Sequence, residues 1–217
     1  MPKLLTLELL QKEAVKFAKA ESKHSEPELF GVTDGKAVGT YLEHKFQTTL
    51  HDRYEYKRGS SAKGIDFPEL DVDIKVTSIR QPQSSCPFRS ARQKIYGLGY
   101  SLLVFVYDKS DDEAARTGRL DIKHTIFVEK ARTADFQTTS GLLRLLENKA
   151  NRDDILAFFQ ERLLPVDEIE AVNLADEILK TPPQVGYLTI SNALQWRLQY
   201  SRVIDQAGTV KGILRLK

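Results

Sequence analysis

The chain has 217 residues, of which 41% are hydrophobic, and a formal net charge of +2. This apolar content supports a core and excludes global disorder, and the length suits one domain or a main domain with an appendage. No apolar run approaches the roughly 20 residues that span a bilayer, no signal-peptide pattern opens the chain, and one cysteine, Cys86, excludes an intrachain disulfide, so a soluble cytoplasmic protein without a membrane partner is expected.

Leu7, Leu10, Ala14, Phe17 and Ala18 recur at helical spacing, which predicts an amphipathic helix from Leu4 to Ala20. A polar loop holding Pro27 and Gly31 follows. Val38, Leu42 and Phe46 then form the buried stripe of a second helix, from about Lys36 to Asp52, with Glu43 at the stripe's edge. Gly59 to Gly64 reads as a flexible approach, and Ile65 to Leu70 as a strand end and turn. From Leu70 to Ser78 the pattern alternates, with Val72, Ile74 and Val76 on one face and Asp71, Asp73, Lys75 and Thr77 on the other. Arg89 to Leu98 is a short helix, Ser101 to Tyr107 a fully apolar central strand, and Leu120 to Glu129 a further strand.

Helices are expected over Ser140 to Lys149 and Asp153 to Leu164, with Ser140 and Asp153 as N-caps. Another runs from Val166 to Lys180. A helix from Thr189 to about Ile204 and a strand from Val210 to Leu216 close the chain. The expected class is α/β (α+β), with a mixed central sheet flanked by helices. The expected division is a core over 1–164 and a helix-rich element over 165–217, either set off at Pro165 or integral to the core.

The segment Asp66-x6-Asp73-Ile74-Lys75 carries the chemistry. Two acids on adjoining strands can clamp a hard cation such as Mg²⁺. A lysine two residues after the second acid shares its strand face, roughly 7 Å further along. There it can polarise a water or stabilise developing charge, while Glu43 adds a ligand from a helix. Asp71 shares the face with Asp73 and is the rival to Asp66. Asp66 is preferred because same-strand acids view a cation from nearly one direction. No acidic residue lies between Asp73 and Asp108, whereas that stretch holds Lys75, Arg80, Arg89, Arg92 and Lys94. Such a basic block suits phosphates.

Asp66-Phe67-Pro68-Glu69-Leu70-Asp71-Val72-Asp73-Ile74-Lys75 resembles the active-site motif of the PD-(D/E)XK nuclease superfamily. More narrowly, it is similar to the segment found in the mismatch-repair strand-nicking endonuclease MutH and its restriction-enzyme relatives. Asp34 to Glu43 is similar to that family's glycine-containing helix, which delivers a third acid. Asp73 stands where the family usually has glutamate.

The resemblance implies a restriction-endonuclease-like fold. It also implies Mg²⁺-dependent, sequence-specific hydrolysis of double-stranded DNA of the type II restriction kind, with a homodimer allowed. Its catalytic set would be Glu43, Asp66, Asp73 and Lys75, the three acids holding metal. A MutH-like nickase and a DNA-binding protein with an inactive nuclease fold are the alternatives. Candidate DNA contacts are Arg80, Gln81, Gln83, Arg89, Arg92 and Lys94 after the catalytic strand, and Asn192, Gln195 and Arg197 on the expected C-terminal helix. Arginine reads guanine and glutamine adenine when they reach base edges, and both also hold phosphates. That helix, preceded by a turn and followed by a strand, suggests a winged helix-turn-helix layout.

Overall fold

The computed structural model describes residues 3–57, 59, 64–86, 89–191 and 196–217. In chain order the elements are β1 (Lys3–Leu4), α1 (Leu7–Glu21), α2 (Gly35–His51), β2 (Tyr54–Glu55), β3 (Val72–Ser78), β4 (Gln83–Cys86), α3 (Arg92–Tyr96), β5 (Ser101–Asp112) and β6 (Thr117–Val128). They continue with α4 (Phe136–Glu147), α5 (Arg152–Glu161), α6 (Glu168–Lys180), β7 (Thr189–Ile190), β8 (Trp196–Gln199), α7 (Ser201–Gln206) and β9 (Ile213–Arg215). The chain forms two units: Met1–Ser84 with Ser101–Val128 and Gln206–Lys217, and Ser85–Tyr100 with Glu129–Asp205. The chain thus enters the second unit twice.

The first unit is built on a four-stranded mixed sheet in the order β3-β5-β6-β9. β3 runs parallel to β5, with Asp73 opposite Leu102 and Lys75 opposite Val104. β5 to β6 and β6 to β9 are antiparallel. The apolar run of β5 is central, as its lack of alternation requires. The strand extends beyond Tyr107 to Asp112 because it pairs as a hairpin arm with 117–121. Asp108 to Asp112 are all polar and lie from half-buried to exposed, so the apolar signal ends before the strand does.

α2 starts where Asp34 caps it, its carboxylate accepting from the Lys36 and Ala37 amides. The stripe of Val38, Leu42, Phe46 and Leu50 is buried to 1% exposure or less. A Cβ added at Gly39 would stand 3.9 Å from Val76 Cβ, which puts this helix directly over β3. Phe17 of α1, Phe46 of α2 and Phe105 of β5 meet with ring centroids 5.0–5.8 Å apart. Each such ring contributes on the order of 2–3 kcal/mol of burial. The helix carrying Glu43 is therefore fixed to the strand carrying Asp73 and Lys75.

The second unit packs Ile95 of α3 and Leu142, Ile155, Phe158, Phe159, Leu174 and Ile178 of α4 to α6 into its own core. α4 begins earlier than its sequence suggests. Asp135, not Ser140, is its N-cap, accepting from Thr138 N at 2.8 Å while its other oxygen accepts from Ile190 N at 2.8 Å. That second bond ties β7 to the cap, a long-range partner that sequence spacing cannot show. α5 is capped by Asn151 in a reciprocal box with Asp154, rather than by Asp153.

The expected helix from Thr189 to Ile204 is corrected. Thr189–Ile190 and Trp196–Gln199 are antiparallel strands, and among the described residues of this span only Ser201–Gln206 is helical. Leu198 and Tyr200 are buried while Arg197 and Gln199 are exposed. This is the two-residue period of a strand. The winged helix-turn-helix layout is not formed in the described residues.

Candidate active site

Phe67 and Val72 form an antiparallel bridge across a tight turn, each amide donating to the other's carbonyl at 2.9 and 3.2 Å. The turn folds Asp66 back beside the strand it precedes. Asp66 Oδ2 accepts the Ile74 amide at 2.8 Å, and Oδ1 accepts Gln47 Nε2 of α2 at 2.9 Å. Asp73, in the first half of β3, is only 4% exposed. Lys75 Nζ lies 2.6 Å from Asp73 Oδ2, yet the contact lacks hydrogen-bond direction, and that buried oxygen has no hydrogen-bond partner among the described residues.

Glu43 is half-buried on α2. Burial pushes its carboxyl up to about 7, the charge of Asp66 and then of Asp73 adds to the rise, and Lys75 opposes it. Asp73 is raised too, by burial first and by the neighbouring Asp66 carboxyl, again against Lys75. Acids that raise one another in this way occupy one electrostatic neighbourhood. The structure therefore brings together Glu43, Asp66, Asp73 and Lys75, all in the first unit.

Asp71 does not share this site. It is exposed in the turn before β3 with φ of 52°, and its carbonyl accepts the Ser101 amide. The expected strand face with two aspartates in register is corrected: the strand begins at Val72. Gln47 was not singled out by sequence reasoning. Its signal was there, since it lies four residues after Glu43, on the same helix face.

Among the described residues no trio of acid, histidine or cysteine side chains closes into a ready cation cage. Mg²⁺ does not require one, because it binds through one or two carboxylates and keeps waters or substrate phosphates as its other ligands. Asp66 and Asp73 fit that demand. They are hard oxygen donors, one held by two hydrogen bonds and the other with a buried oxygen lacking a hydrogen bond. Lys75 partly offsets their charge.

The remaining candidates scatter. Arg80 and Gln81 are exposed in the turn after β3, where Ser78 bridges Gln81 and Thr77 Oγ1 lies 3.3 Å from the Gln81 carbonyl oxygen. Arg80 Nε is 3.4 Å from Asp108 Oδ1. Gln83 starts β4 and is half-buried. In the second unit, Arg89 and Arg197 are exposed. Arg92 is engaged within the molecule, pairing with both Glu177 oxygens at 2.6 and 3.2 Å and stacking 4.5 Å from the Tyr96 ring centroid.

Lys94 is buried at 4% exposure, and burial lowers its pKa while Asp135 pulls it back up. It is turned inward toward a structural acid rather than toward solvent, because α3 packs its face into the core of the second unit. Asn192 and Gln195 lie outside the described residues.

A family model for type II restriction enzyme NspV matches residues 4–215 of the chain. The chain belongs to this family. Membership carries the enzyme class, endodeoxyribonuclease. A relative, the type II restriction enzyme NspV of Nostoc sp. (strain ATCC 29411 / PCC 7524), is 65% identical over 211 residues, covering 97% of this chain and 96% of that protein. No solved structure matches. The mixed sheet with flanking helices is consistent with a restriction-endonuclease-like fold, and no helix among the described residues is long and apolar enough to cross a membrane.

Proposed function

We propose that the chain is a Mg²⁺-dependent, sequence-specific endonuclease that hydrolyses phosphodiester bonds of double-stranded DNA. In this reading its site is of the PD-(D/E)XK kind, related to that of MutH. The observation that carries this is the convergence of Asp66, Asp73 and Lys75 beneath Glu43. A bound Mg²⁺ would neutralise charge on the scissile phosphate and lower the pKa of a water. Asp66 and Asp73 would hold it, with Glu43 as a further ligand. Lys75 stands beside Asp73 as a cation that can orient the attacking water and stabilise the negative charge of the transition state. Glu43, raised to about 7, must give up its proton before it can serve as a ligand.

Plasmid DNA incubated with the protein and Mg²⁺ tests the reading. Linear fragments with defined ends are expected, and open circles alone would indicate strand nicking. We propose that the two strands are cut by two copies of the chain on the duplex, a homodimer, each supplying one catalytic centre.

Arg80 and Gln81 emerge directly after the catalytic strand, and we expect them to divide positioning from reading. Arg80→Ala should weaken binding to all duplexes and flatten its salt dependence, as loss of a phosphate contact does. Gln81→Ala should lose about 1–3 kcal/mol of discrimination at one base pair. Titration of both variants against cognate and singly substituted duplexes, with Ca²⁺ replacing Mg²⁺, checks this. Equal losses on every duplex for both variants would place base reading elsewhere.

A further inference from the structure

We infer that Gln47 is a positioning residue for the metal-binding carboxylate of Asp66, an inference that rests on the metal-dependent reading above. A carboxylate on a turn can rotate about its χ angles and present either oxygen in several directions. Asp66 is denied that freedom, because each oxygen takes one hydrogen bond. Oδ2 accepts the backbone amide of Ile74 and Oδ1 accepts Gln47 Nε2, both within 2.9 Å. The first donor belongs to the catalytic strand and the second to the helix that carries Glu43. The plane of the carboxylate is thus set by both elements that build the site.

Each oxygen of an ionised carboxylate can accept two hydrogen bonds or ligands, so these two bonds do not exhaust the capacity of either oxygen for a cation.

The chemical type at position 47 matters as well. A lysine there would fix Asp66 equally well but would cancel the charge a cation needs. A second acid would repel it. A neutral amide orients the carboxylate and leaves its charge intact. Gln47 is itself anchored at its backbone: its main-chain carbonyl accepts the Tyr56 hydroxyl at 3.1 Å, and Tyr56 packs on Phe67, the residue after Asp66, with ring centroids 5.3 Å apart.

The test is Mn²⁺ binding without turnover, followed from the electron paramagnetic resonance signal of the free ion. The proteins to compare are the wild type, Gln47→Met, Asp66→Ala and the double variant. The wild type should bind Mn²⁺ through Asp66. Gln47→Met should weaken that binding roughly tenfold or more, with the thermal melt of the metal-free protein nearly unchanged. The double variant should bind no worse than Asp66→Ala alone, since Gln47 acts through that carboxylate. Should Gln47→Met fail to fold, Gln47→Asn keeps the amide but withdraws it by one methylene, and is expected to weaken Mn²⁺ binding likewise.

If the wild type depends on Asp66 while the Gln47 variants bind Mn²⁺ as it does, the positioning role is overturned and the metal reading stands. If Asp66→Ala binds as well as the wild type, the metal reading itself falls.

Discussion

Lys75→Ala and Asp73→Asn should each lower the cleavage rate about a thousandfold or more, while binding to cognate DNA in Ca²⁺ survives. Removing one of the proposed metal ligands, or the amine that stabilises developing charge, costs several kcal/mol in the transition state, while the remaining acids and the DNA contacts preserve ground-state binding. The geometry makes both residues hard to replace. Asp73 is 4% exposed and its Oδ2 is 2.6 Å from Lys75 Nζ, so neither solvent nor a neighbouring side chain can take over. Rates measured under single-turnover conditions, beside equilibrium binding in Ca²⁺, separate the two effects. Either variant cutting at near the wild-type rate in Mg²⁺ would mean that the catalytic centre lies elsewhere.

Glu43→Gln should stabilise the metal-free protein at pH 8 while impairing cleavage. In the folded chain burial lifts Glu43 to about 7, from an ordinary value of 4.5. The unfolded chain loses this proton near its ordinary value, and the folded chain keeps it until about 7. The folded state therefore binds more protons across that interval, and its stability falls as pH rises through it. Above that window the full cost is present, on the order of 2 kcal/mol after allowance for partial exposure.

An amide carries no such cost, so Glu43→Gln should raise Tm by about 4–8 °C at pH 8 for a chain of this size. The gain should fade toward pH 4. The same pKa sets the cleavage profile of the wild type. At limiting Mg²⁺ the rate should climb as pH rises through about 7, because a cation favours the ionised carboxylate. Thermal melts at several pH values and a pH–rate profile check both. A melt unaffected at pH 8, together with full activity, would leave Glu43 as a bystander.

Much of this site was legible because its parts are local. Asp66 and Asp73 are joined by a short turn, Lys75 follows on the same strand, and Glu43 sits beside a stripe whose period gave away the helix. The central strand was equally plain, since an apolar run without alternation must be covered on both faces. Long-range partners were not legible. Nothing in the spacing indicated that the Asp135 cap of α4 would also hold the Ile190 amide of β7, or that Lys94 would be drawn inward toward that acid.

The C-terminal strands were misread because apolar residues as closely spaced as Trp196 and Leu198 fit a short stretch of helix about as well as a strand. Asp71 was misassigned for a related reason. Alternation runs on past the point where a positive φ ends the strand.

In the proposed function Asp66 and Asp73 hold the cation at which the phosphodiester is cut. Its most direct test is an anomalous-scattering map of the protein crystallised with cognate DNA and Mn²⁺. A Mn²⁺ peak is expected about 2.0–2.3 Å from carboxylate oxygens of both Asp66 and Asp73, with Lys75 Nζ and the scissile phosphate in the same site. A peak ligated by other residues, with these two carboxylates facing away from the DNA, would contradict it.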